Sequence, residues 1–126
     1  MIRALVLLSA LPLAAAAGGA IAQPSSRAHM EACTEWKPEG GHIGTRNDCN
    51  RPVAIKFMDQ DGGNVREADV PPGGWFDSQV VQGTIQGYYF TVCPVGYRPS
   101  VPFTLENATA IVDSLYNCLP IGKPDV

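Results

Sequence analysis

From Cys33 onward, glycine, proline, aspartate or asparagine interrupts the chain roughly every eight to twelve residues, and the runs between are short, β-branched and aromatic. Eleven prolines and thirteen glycines in 126 residues leave no stretch that sustains a helical period over three turns. Short apolar runs of this kind bury their surface by pairing edge to edge. The expectation is therefore an all-β fold, a small antiparallel β-sandwich or open barrel. Val53 to Met58 is the clearest strand: Val53, Ile55 and Phe57 alternate with Ala54, Lys56 and Met58. Asp59 to Asn64, with Gly62-Gly63 inside it, supplies turn chemistry, and Val65 to Val70 returns as a charged strand. After Pro71-Pro72-Gly73-Gly74, strands are expected at Trp75 to Val81, Tyr88 to Cys93 and Val101 to Leu105. Ala110 to Cys118 reads either as a short helix or as a strand, and the extended chemistry of Tyr116-Asn117-Cys118 favours the strand.

The N-terminus has the organisation of a secretory leader. Arg3 precedes an apolar stretch from Ala4 to Ala17, and Ala20-Ile21-Ala22 offers a small-residue cleavage site before Gln23. Pro12 and Gly18-Gly19 interrupt the apolar part, which is shorter than the ~18–20 residues a spanning helix needs. The expected organisation is a signal peptide over 1–22, a flexible Pro/Ser-containing arm over 23–32 and one β domain over 33–126. The product is expected in the periplasm or outside the cell. Losing Arg3 moves the formal net charge from −3 to −4. The remaining basic residues are scattered singly, so neither a phosphate backbone nor an anionic membrane surface finds a dense cationic patch. Nucleic acid is not an expected partner, and no membrane insertion is expected after cleavage.

Four cysteines, Cys33, Cys49, Cys93 and Cys118, fit two disulfides in an oxidising compartment. Their wide spacing lacks the close pairs of zinc ribbons and redox sites. Of the three connectivities, strand order favours Cys49–Cys93, because the start of the Val53 strand should meet the end of an antiparallel Tyr88 strand. Cys33–Cys118 would then tie the ends of the domain.

Catalytic chemistry is not expected. His29 falls in the arm and His42 in the Gly40-Gly41-His42 segment, so neither looks held in place. No serine occupies a nucleophile elbow, and oxidised cysteines leave no thiolate. Asp59-x-Asp61-x-x-Asn64 departs from a calcium loop at its fifth and twelfth positions, Gly63 and Val70, and reads as a hairpin turn. Neither a cofactor nor a metal is expected. Asn107-Ala108-Thr109 matches a glycosylation sequon, which the Ala-rich leader, bacterial in character, makes a chance match. The aromatic residues are the candidate binding groups. If Tyr88 and Phe90 face the core, Tyr89 faces outward, where Trp36, Trp75 and Tyr97 could join it. The competing reading is that these rings fill the core.

The segment Asn47-Asp48-Cys49-Asn50-Arg51-Pro52-Val53, followed by the Pro72-Gly73 turn, resembles the opening of thaumatin-like proteins. Those are larger and richer in cysteine, and their activity is not carried over. With Cys93-Pro94 and Tyr116-Asn117-Cys118, the chain is more similar to small exported bacterial β proteins of uncharacterised function. That resemblance implies export and an all-β fold. The expected function is non-enzymatic binding of a protein or glycan partner at the cell envelope. The alternative is inhibition of a secreted hydrolase, a lysozyme or protease, by a rigid loop such as Val70 to Trp75, pre-organised by proline.

Overall fold

A computed structural model describes residues 26–122; the expected leader, residues 23–25 and residues 123–126 lie outside the described residues. The nine strands among the described residues are β1 (Arg27–Ala28), β2 (Thr34–Glu39), β3 (His42–Asn47), β4 (Val53–Asp59), β5 (Arg66–Val70), β6 (Trp75–Val81), β7 (Tyr88–Pro94), β8 (Tyr97–Pro99) and β9 (Asn117–Pro120). They form three antiparallel three-stranded sheets, ordered β2-β3-β6, β5-β4-β7 and β1-β9-β8. The fold is all-β, as expected, and the first two sheets face each other across the main core.

Strand parity explains that core. Val53, Ile55 and Phe57 of β4 are fully buried, and cross-strand partners share their face: Val70 of β5, Val92 and Phe90 of β7. Ile43 of β3 and Phe76 and Val80 of β6 come from the opposite sheet. Lys56, on the other face of β4, lies opposite Glu67 of β5 and Thr91 of β7. In β6, Gln79 adopts a left-handed φ of 63° and the β3–β6 register shifts between His42 and Gly44. Ser78 Oγ closes this irregularity by donating to the Ile43 carbonyl at 2.6 Å.

The free side of β7 is closed by non-strand groups. The Met30 N–H donates to the Val92 carbonyl at 2.9 Å, and the Val92 N–H donates to Tyr116 Oη at 2.9 Å. Tyr116 in turn donates to Glu31, whose other carboxylate oxygen accepts from Ser114 Oγ at 2.9 Å. Burial, reinforced by the adjacent Glu31, pushes the Tyr116 phenol far above its ordinary value. The group therefore serves as a fixed neutral donor and acceptor.

Several expectations are corrected. All four cysteines are oxidised, but the bridges are Cys33–Cys49 and Cys93–Cys118, not Cys49–Cys93 and Cys33–Cys118. Strands β4 and β7 are indeed antiparallel neighbours. Cys93, however, pairs with Ala54 and so projects from the outer face, where Cys118 lies, whereas Cys49 packs into the inner core. The segment from Ala110 is not a strand: Ala108–Val112 is a short helix, α1, and extended chain resumes only at Asn117. Residues 101–104 are irregular and Leu105–Asn107 is a 3-10 turn, in place of the strand expected there. The described part of the expected arm is not loose. Arg27 and Ala28 pair with Cys118 and Asn117, and Glu31–Cys33 forms a 3-10 turn.

The β2–β3 hairpin was not anticipated. Gly40 and Gly41 take φ values of 64° and 85°, the conformation that a two-residue hairpin turn requires.

Candidate ligand-binding surfaces

The four aromatic residues expected to share a surface are distributed over four environments. Trp36, on the inner face of β2, packs against Phe57, Phe76, Tyr88 and Phe90, with ring centroids 4.3–6.1 Å away. It belongs to the core, as the competing reading held. Tyr89 lies on the opposite face of β7 from Tyr88 and Phe90, as parity required. There it lines a shallow groove of about 200 Å³ with Ala108, Thr109, Val112 and Asp113. Tyr97 is engaged with Arg27, whose Nε donates to the phenol oxygen at 2.9 Å and whose guanidinium carbon lies 5.4 Å from the ring centroid.

Trp75 is placed differently. It starts β6 on the outer face of the β2-β3-β6 sheet, and its indole lies across Gly44 of β3. A Cβ at position 44 would fall 2.5 Å from that ring and into the Phe76 carbonyl, so only glycine admits the contact. Among the described residues the indole N–H has no hydrogen-bond partner, and it is not fully buried. Cross-strand pairing places three rows of side chains around it: Glu35, Arg46 and Trp75; Lys37, Gly44 and Asp77; Glu39, His42 and Val81. One half-buried ring thus sits among acceptors and donors on a sheet face.

His42 belongs to this face and is held, contrary to expectation. Its Nδ1 lies 3.0 Å from Asp77 Oδ1. The Gln79 N–H donating to Asp77, then His42 itself, hold the Asp77 carboxyl below its ordinary value against the opposing effect of burial. The pair fixes the ring of His42 and supports the left-handed backbone at Gln79. Among the described residues Asp77 is the hydrogen-bond partner of His42, and no serine or cysteine is bonded to its ring.

A cleft of about 340 Å³ opens at the hairpin end of the sandwich. Trp36, Pro38, Ile43 and Tyr88 line it together with the 82–87 connection between β6 and β7. Burial pushes the Tyr88 phenol above its ordinary value. Sequence reasoning missed this cleft because it is made by the unrecognised hairpin.

The 71–74 turn is exposed at Pro71, Pro72 and Gly73 and clamped from below by Asn47. The Gly73 N–H donates to the Asn47 carbonyl at 2.7 Å, and the Asn47 N–H donates to the Gly74 carbonyl at 2.9 Å. The fully buried Asn47 side chain adds bonds to the Arg51 and Val70 carbonyls and accepts from the Cys49 N–H. Gly73 takes a φ of 78°, which the tight reversal requires.

Asp59 forms a hairpin turn, as expected. It accepts from the Asp61 and Gly63 N–H groups at 2.8 Å and from Asn64 Nδ2 at 2.7 Å. Among the described residues there is no cluster of three or more His, Cys, Asp or Glu placed to hold a metal ion. No described helix is long and apolar enough to cross a membrane. The chain has no match among known protein families, curated proteins or solved structures.

Proposed function

We propose that the chain is a non-enzymatic, exported binding module of the cell envelope, periplasmic or secreted, that holds a glycan on the outer face of the β2-β3-β6 sheet. The observation that carries this reading is Trp75 laid over Gly44 with its indole N–H unpartnered among the described residues. A sugar ring offers an apolar C–H face and a rim of hydroxyls. An indole supplies a flat apolar partner for the first, and neighbouring charged side chains bond the second. Arg46, Lys37, Asp77 and Glu35 stand in the adjacent positions of the same face. Two disulfides are the mark of an oxidising, non-cytoplasmic compartment, which supports the envelope setting.

The test is retention on peptidoglycan sacculi and on a glycan array, comparing wild type with Trp75→Ala. Binding that disappears in the variant while its melting curve stays close to wild type supports the platform. Glycan binding that persists in Trp75→Ala removes it.

A second reading is favoured by the clamp at Asn47. A proline-containing turn held by two backbone hydrogen bonds can enter a hydrolase cleft with little loss of entropy, as an inhibitor does. Slowed lysozyme or protease turnover that is relieved by Pro72→Asp, with Trp75→Ala still inhibitory, supports the inhibitor over the glycan module. No slowing of either enzyme class ends that reading.

A further inference from the structure

We infer that the rim of β7 from Tyr88 to Phe90 is a docking edge for an extended peptide of a partner protein, added as an antiparallel strand with a basic residue between two apolar ones. The site is independent of the Trp75 platform and of the 71–74 turn.

The direction of the β7 backbone carries this inference. The Val92 N–H donates to Tyr116 Oη and the Val92 carbonyl accepts from the Met30 N–H, so both groups face away from β4. Bonding groups of alternate residues along a strand point the same way, so those of Phe90 and Tyr88 also face away from β4. Among the described residues no hydrogen bond reaches the N–H or carbonyl of either. Closure at Val92 thus stops short of Phe90, and two backbone donors and two acceptors stand on an open rim.

The two main sheets have four edges, and the other three are blunted. β2 carries Lys37 and Pro38, β5 carries Arg66, Glu67 and Asp69, and β6 is interrupted by the left-handed Gln79. Charges, proline and irregular backbone are what keep an edge from accepting a further strand. Tyr88-Tyr89-Phe90 has none of these.

Strand parity then selects the peptide. An antiparallel strand exchanging bonds with Phe90 and Tyr88 places its intervening residue opposite Tyr89. Opposed residues share a face, so the two bonded residues project beside Phe90 and Tyr88, and the middle one beside Tyr89. The first face is aromatic, with the Phe90 ring 4.3 Å from Trp36 and the Tyr88 ring 5.5 Å from Phe57, and suits apolar side chains. On the other face two depressions, of about 130 and 200 Å³, meet at Tyr89 and Val112. Glu31 lines the first and Asp113 the second, and no described Lys, Arg or His lines either. Tyr116 and Ser114 hold the Glu31 carboxylate in place. A lysine or arginine opposite Tyr89 lays its aliphatic stem along the ring and Val112 and finds a carboxylate on each side. A second copy of the chain would instead bring up a face carrying the same two carboxylates.

The experiment is titration of the full disulfide-bonded chain with acetyl-Thr-Val-Lys-Val-Thr-amide, followed by amide exchange in NMR spectra. Without peptide, the Phe90 and Tyr88 amides should exchange at least about tenfold faster than that of Thr91, which faces β4; with peptide they should slow. A peptide methylated on both valine nitrogens, and one with glutamate for lysine, should each bind about tenfold more weakly or worse. Val112→Lys and Asp113→Asn, at exposed positions, should melt like wild type and weaken the parent peptide. Trp75→Ala should bind it unchanged, which separates this rim from the glycan platform. No slowing at millimolar peptide, or equal affinity for the methylated or the glutamate peptide, would overturn the inference. Slow exchange of both amides in the free chain would also overturn it: a second copy covers the rim if dilution speeds exchange, and the chain itself covers it if dilution does not.

Discussion

At the scale of single residues, three positions bear more of the structure than their size suggests. Asn47 satisfies three backbone groups through its side chain while its own backbone clamps the 71–74 turn. Asn47→Ala leaves those groups buried without partners and should destabilise the domain by on the order of 3 kcal/mol, measured by urea unfolding. Gly44 is needed because the Phe76 carbonyl and the Trp75 ring occupy the space of a side chain. Gly44→Val should displace the indole and cost about 1–3 kcal/mol through overpacking, with quenching of exposed tryptophan by iodide as the readout of ring position. The Asp59 carboxyl is held below the usual carboxylate range by the Gly63 N–H first, then by Asn64, Asp61 and Gly62, against the opposing effect of burial. A depressed folded value means that the unfolded chain binds more protons between the two values. The stabilisation is therefore complete above about pH 4 and is lost as pH falls through the folded value. Asp59→Asn should flatten the melting temperature against pH below pH 4 while leaving its slope near neutrality unchanged.

At the scale of elements, the four strands from Val53 to Pro94 were legible because each has a period of two or a continuous apolar run bounded by turn residues. The β2–β3 hairpin was not, because Lys37, Pro38, Glu39 and the two glycines read as a polar break. The decisive signal was present all the same: two adjacent glycines joining two six-residue strands. Missing that hairpin left Trp36 without a strand face and His42 without its partner Asp77. The disulfide pairing was misassigned for a related reason. Strand adjacency alone does not say which face a cysteine leaves from. Peptide mapping without reduction should return Cys33–Cys49 and Cys93–Cys118 as the linked pairs. Each bridge closes a loop for which the chain-entropy model gives roughly 3 kcal/mol. Cys93→Ser/Cys118→Ser should accordingly melt well below wild type, with amide exchange rising first in residues 97–120. A variant that melts like wild type would show that the β1-β9-β8 sheet holds by packing alone.

For the molecule as a whole, the site was less legible than the fold because its parts come from different strands. Trp75 could be placed on a strand from its neighbours, but nothing local to it announces Gly44 some thirty positions earlier, whose missing side chain creates the seat. Likewise the cleft joins β2, β3 and the 82–87 connection, and no one of these carries the pattern. Export remains a proposal with a direct check: the protein from the periplasmic fraction should have a mass that begins at Gln23 and contains no free thiol. The closure of β7 also has a consequence for a chain threaded N-terminus first through a translocation pore. Val92 waits for Tyr116, 24 positions behind it, and Tyr116 must reach back 85 positions to Glu31. Until the last quarter of the polypeptide has emerged, an unpaired strand rim faces the crowded exit side. That interval is when a holdase would bind and when neighbouring nascent copies would cross-pair.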